Sequence, residues 1–100
     1  MFDFIEKHYQ KRISLTDVAA AVNISSGHLT TVVWPKTGRP PLEWITERRM
    51  AQARRLLTET DLTIAGIAHN VGYTDAAYFV RTFRIAHGTT PLRWRRAGRE

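Results

Sequence analysis

Arg81 and Arg84 stand three residues apart in "YFVRTFR". Four more arginines crowd the closing run "LRWRRAGR": Arg93, Arg95, Arg96 and Arg99. A guanidinium is a planar fork that donates two parallel hydrogen bonds, which suits phosphate oxygens and the guanine edge. Twelve of the fifteen Lys and Arg residues are Arg, and the formal net charge is +6. Such a balance points to nucleic acid, an anionic membrane surface or an acidic partner, against the plainer reading of a solvated basic surface. Other chemistry is thinly supplied. The four histidines, His8, His28, His69 and His87, have no metal-ligand spacing, and there is no cysteine for a thiolate ligand, a nucleophile or a disulfide. No glycine-rich phosphate loop occurs. Binding is therefore expected rather than catalysis, with no metal and no cofactor.

These side chains need a scaffold. One hundred residues, 43% of them apolar, suffice for one small domain or two small lobes with a real core. No apolar run reaches the length of a membrane span, and the first residues carry no signal-peptide pattern. The expectation is a soluble, cytoplasmic protein with no membrane partner. A basic membrane-surface helix would need one strong apolar face. Here the apolar residues are shared among several short helices.

Helical periodicity runs through nearly the whole chain. "FDFIEKHYQKR" places Phe2, Ile5 and Tyr9 on one side. Ser14 can cap "LTDVAAAV", and Ser25 or Ser26 can cap a helix from Gly27 onward. "PLEWITERRMAQARRLLTE", Pro41 to Glu59, is the longest stretch, with Pro41 at a first position that needs no donor. Its Leu42, Ile45, Ala53, Leu56 and Leu57 recur at helical spacing. Thr63 caps "IAGIAHNV", which Gly72 ends; Asp75 caps a helix to about Ala86, which Gly88 ends; and Thr90-Pro91 opens a last helix stopped at Gly98. The only β-rich run, "TTVV", is too short for a sheet. The fold class is all-α with about seven helices.

The pattern repeats. "GRPPLEW" (38–44) and "GTTPLRW" (88–94) share Gly, Pro, Leu and Trp at the same offsets. Leu29 and Val33 precede Gly38 by nine and five residues, as Phe79 and Phe83 precede Gly88. Ala19, Val22 and Asn23 match Ala68, Val71 and Gly72 at an offset shorter by one. The unit is a helix with a small mid-helix residue, a turn at a residue tolerant of left-handed backbone, then a second helix. That is the layout of a helix-turn-helix, although a helical hairpin duplicated for packing alone would share it. The basic charge favours DNA.

With "LTDVAAAVNISSGHLTTVV", "TGRPPLEWI", "RRMAQARRLL", "LTIAGIAHNVGYTDAAYFVRTFR" and "HGTTPLRWRR", the chain resembles the DNA-binding domain of the AraC/XylS family of bacterial transcription regulators. The resemblance covers nearly the whole chain and is sharper in the second half. It implies two homeodomain-like helix-turn-helix lobes, residues 1–40 and 60–100, joined by a connecting helix over 41–59. It further implies recognition helices in successive major grooves, ~34 Å apart. Double-stranded DNA is then the main partner and RNA polymerase a further one, while an effector or dimerisation domain would lie outside this chain, which is either a fragment of a longer regulator or a stand-alone short one. The other reading is a helical protein-interaction module that contacts RNA polymerase or another regulator. The same unit occurs beside a DNA-repair methyltransferase module, but that chemistry needs a cysteine.

Placed on the family motif, Gly27, Thr30 and Thr31 occupy base-reading positions of the first lobe. In the second lobe Ala76, Ala77, Val80 and Arg81 do so, with Arg81 best suited to guanine. Phe79, Thr82 and Phe83 face the packed side, and Tyr78 fits either a groove edge or the core. Phosphate contacts are expected from Ser26, His28, Arg39, Thr74, Arg84, Arg95 and Arg96. Arg48, Arg49, Arg54 and Arg55 could pair instead with Glu43, Glu47 or Glu59. Trp44 and Trp94 are read as core anchors. Trp34 and Pro35 depart from the family pattern, and Pro40 replaces the cap expected from Thr90. Pro35 predicts an early end or kink in the first recognition helix, so the second lobe should carry most of the specificity.

Overall fold

A computed structural model of the chain describes residues 2–11, 17, 20 and 41–99. The first helix-turn-helix, with its Ser14 cap, its recognition helix and the expected stop at Pro35, lies outside the described residues. So do the candidate contacts Ser26, Gly27, His28, Thr30, Thr31 and Arg39. Among the described residues all regular structure is helical: α1 (Phe2–His8), α2 (Pro41–Glu59), α3 (Ile64–Asn70), α4 (Ala76–His87) and α5 (Pro91–Gly98). The other two of the seven expected helices fall in the segment not described.

The chain divides into two compact units, Met1–Arg48 and Arg49–Glu100, and the division falls inside α2. In the first unit Ile5, Tyr9 and Ile45 are buried, and Trp44 is half-buried. Arg48 donates from Nε and Nη2 to the Glu6 carboxylate at 2.5 and 3.0 Å, and its guanidinium lies 4.3 Å from the centre of the Tyr9 ring.

The second unit is organised around one core. Helix α2 contributes Met50, Ala53 and Leu57, a stripe at i, i+3 and i+7. Helix α3 adds Ile67, Ala68 and Val71, and α4 adds Phe79 and Phe83, one turn apart, with Tyr73 from the turn between them. Leu56, Ile64, Ala76, Val80 and Trp94 pack against this cluster. Of the residues aligned by the internal repeat in its second copy, Ala68, Val71, Phe79 and Phe83 are core residues, whereas Leu92 is exposed.

Each element in this unit starts and stops where its side chains dictate. Thr63 caps α3 by accepting from Gly66 N at 2.9 Å. The Asp75 carboxylate accepts from Ala77 N and Tyr78 N at the head of α4. Gly88 ends α4 at φ +74°, a left-handed conformation that a Cβ would strain. Thr90 caps α5, and Pro91 follows where no amide donor is required.

The end of α2 is closed differently. Its last turn has no basic residue of its own to meet the free carbonyls. Arg95 of α5 supplies the donors: Nε to Leu57 O at 3.0 Å, and Nη2 to Thr60 O and Leu62 O at 3.2 and 2.7 Å. Arg99 adds a bond to Thr60 O and one to Asp61 Oδ1 at 2.9 Å. The chain leaving α2 is therefore pinned by two arginines from the final helix.

Candidate nucleic-acid interface

Helix α4 has one face locked and one face open. Phe79 and Phe83 are fully buried, and their rings stand 6.0 Å apart. The Trp94 ring meets Phe83 edge-on at 5.8 Å. His87 completes the packing. It stacks on Phe83 at 3.9 Å with a 17° interplanar angle and approaches Trp94 at 5.1 Å. The two ring nitrogens of His87 have different neighbours. Nδ1 lies 2.9 Å from Phe83 O, an acceptor, and Nε2 lies 2.9 Å from an Arg54 guanidinium nitrogen, a donor. The pair of contacts is satisfied by the tautomer with its proton on Nδ1. Arg54 thereby ties α2 to the last turn of α4, a role that the spacing of the histidines alone could not reveal.

The open face carries the chemistry. Arg81 and Arg84 are exposed, make no ion pair among the described residues, and line one shallow groove together with Ile85. The Arg81 guanidinium lies 5.9 Å from the centre of the Tyr78 ring, at cation–π range, and the Tyr78 ring lies 5.9 Å from that of Tyr73. Tyr78, left open between groove edge and core, is thus exposed and beside the arginine. Ala77 is exposed, as are Thr74 and Arg96.

Three expected contacts are placed otherwise. Ala76 and Val80 are half-buried against the core, because they flank the buried Phe79 and Phe83 on α4. Arg95 is half-buried and directed at backbone carbonyls of the α2 terminus rather than outward. Ile85, which the sequence reading passed over, is 86% exposed on the same face as Arg81. It was legible in principle, as the residue one turn beyond Arg81 on the stripe opposite Phe79 and Phe83. Among the connecting-helix arginines, Arg55 pairs with Glu59 at 2.7 Å as expected, Arg48 turns to Glu6 instead, and the Arg49 guanidinium lies 5.0 Å from the Tyr73 ring centre.

Helix α4 is thus a capped helix with one face locked into the core and an exposed arginine pair on the other. The family model described as a helix-turn-helix domain matches residues 18–97. The chain belongs to the AraC/XylS family of helix-turn-helix transcription regulators. Sequence-specific DNA binding in transcription regulation is the function of that family. The lactose operon transcription activator of Staphylococcus xylosus is 41% identical over 81 residues, covering 81% of this chain and 29% of that protein. The DNA-binding domain of AdpA, a global transcriptional factor, solved in complex with a target DNA, has a TM-score of 0.91 at 26% identity, covering 98% of this chain and 88% of that one. An AraC-type regulator structure from Chromobacterium violaceum has a TM-score of 0.87 at 26% identity, covering 97% and 87%. The chain spans about a third or less of the length of the curated relatives first matched. Those relatives are transcription regulators, a non-enzymatic class. Among the described residues no helix of this AraC-type domain is long and apolar enough to cross a membrane.

Proposed function

We propose that this AraC-type chain binds double-stranded DNA sequence-specifically, with α4 in a major groove. The observation that carries the reading is the outward pair Arg81 and Arg84 on a helix whose opposite face is fixed by Phe79, Phe83 and His87. Arg81, near the middle of α4, reads a base, with guanine the best match to its fork. Ala77, one turn earlier, allows close approach to the base edges. Arg84, Thr74 and Arg96 hold phosphates and set the register. The repeat places a second reading helix in the first lobe, with Gly27, Thr30 and Thr31 toward bases and Ser26, His28 and Arg39 toward the backbone. The lobes then occupy successive major grooves, and the second lobe dominates specificity.

The test is titration of the chain against random-sequence duplex at two salt concentrations, followed by selection from a random pool. Binding should weaken steeply with salt, and the selected sequences should contain two half-sites about one helical turn apart. Binding that ignores salt, or a pool without preferred sequences, sinks the reading.

A further inference from the structure

Ile85 is the most exposed of the large apolar side chains among the described residues, at 86%. On the same helix Phe79 and Phe83 are fully buried and Tyr78 is half exposed. The groove neighbours of Ile85 are Arg81 and Arg84. A cationic surface with an apolar side chain set beside its arginines fits a polyanion that carries apolar points of its own. The major groove offers that combination, because the thymine C5 methyl is its apolar feature amid base-edge donors and acceptors and phosphate rims.

Resting on the proposed groove placement of α4, we infer that Ile85 is a specificity-determining residue that packs on a thymine methyl. Of the three apolar residues read from the sequence as base contacts on this helix, Ala76 and Val80 are half-buried against the core, and Ala77 is exposed but presents a single methyl one turn before Arg81. Ile85 stands four residues after Arg81, about 6 Å farther along the helix axis. The thymine therefore lies within about two base pairs of the base that Arg81 reads. An acidic protein surface with an apolar side chain would match the arginines and Ile85 as well, but it would leave DNA preference untouched when Ile85 is truncated.

The experiment deletes the methyl from the DNA and the side chain from the protein. Duplexes selected by the whole chain are remade with uracil, which lacks the C5 methyl, in place of each thymine in turn. The unsubstituted chain should lose about fourfold in affinity at one thymine, the worth of one buried methyl group. That thymine should neighbour the base whose preference disappears in Arg81→Ala. Ile85→Ala should bind the thymine and uracil duplexes equally at that position, and Ile85→Val should keep part of the discrimination. An Ile85→Ala chain that keeps the full methyl sensitivity, or an unsubstituted chain with none, overturns the inference while leaving sequence-specific binding intact. A pool that yields no preferred sequence overturns the base-reading function and this inference with it.

Discussion

Helices α4 and α5 both carry arginines, and they use them in opposite ways. On α4, Arg81 and Arg84 are exposed, and the Arg81 guanidinium lies 5.9 Å from the ring centre of Tyr78 on the same helix. On α5 and at its C-cap, Arg95 and Arg99 reach back to the end of α2 and are taken up by the carbonyls of Leu57, Thr60 and Leu62 and by Asp61. The difference lies in what each helix faces. Helix α4 buries its aromatic stripe and leaves the opposite flank to solvent, whereas α5 sits where a helix terminus presents unpaired acceptors. Arginine content therefore overstates the DNA surface: part of the basic charge holds the domain together.

Arg95→Met is the strongest way to break this contrast. It keeps much of the apolar stem but removes three charge-assisted bonds, so unfolding free energy should fall by about 2–3 kcal/mol. Urea midpoints with an unchanged m-value would measure it. The salt dependence of DNA affinity should keep its slope, since Arg95 is not spent on phosphate. A lowered slope with unchanged stability would move Arg95 to the DNA surface and erase the difference between the helices.

Arg81→Ala should do the reverse. The urea midpoint should not move, while affinity for the selected duplex falls by about 1–3 kcal/mol and preference relaxes at one base. Arg81→Lys should not restore that preference, because an ammonium lacks the bidentate fork. Equal loss of affinity for every sequence would make Arg81 a phosphate contact instead. Arg84→Ala is a smaller perturbation. It should weaken binding evenly across sequences and lower the slope of log affinity against log salt by about 0.9. A change in base preference would instead place Arg84 among the readers.

The sequence carried the architecture of this half well because its signals were local. Thr63, Asp75, Gly88 and Thr90-Pro91 each act on backbone groups within a few residues, so their types were enough to place the ends of α3, α4 and α5. The Phe79 and Phe83 stripe was equally legible, being one turn apart and repeated from the first lobe. What the sequence could not show was side-chain direction across long separations. Arg95 meets Leu57 O across 38 positions, and Arg54 meets His87 across 33. Nothing near Arg95 in the chain distinguishes it from Arg96, which is exposed. The half-burial of Ala76 and Val80 was hidden for a related reason: they lie on the border between the locked and open faces, where a small rotation of α4 decides burial.

Arg48 shows a third use of arginine, and the smallest expected effect. Its guanidinium is bonded to Glu6, whose side chain is well exposed. The hydrogen bond from Arg48 holds the Glu6 carboxyl below the ordinary range, with burial opposing and the Arg48 charge assisting; the same bond raises Arg48. A carboxylate with a depressed folded-state pKa stabilises the folded chain above its unfolded value and loses that contribution as pH falls through the folded one. The stability difference between the unsubstituted chain and Glu6→Gln should therefore be constant above pH ~5 and close as the solution is acidified past the ordinary glutamate value of about 4.3. It should also shrink with added salt, because both partners are charged and the Glu6 carboxylate is open to solvent. The Arg95 contribution should persist in the same salt, since its carbonyl acceptors carry no net charge to screen. Urea unfolding of the Glu6→Gln and Arg95→Met chains at two pH values and two salt concentrations would separate the two kinds of arginine. A Glu6→Gln difference that survives unchanged below pH 3 would mean that the carboxylate charge is not what Arg48 holds.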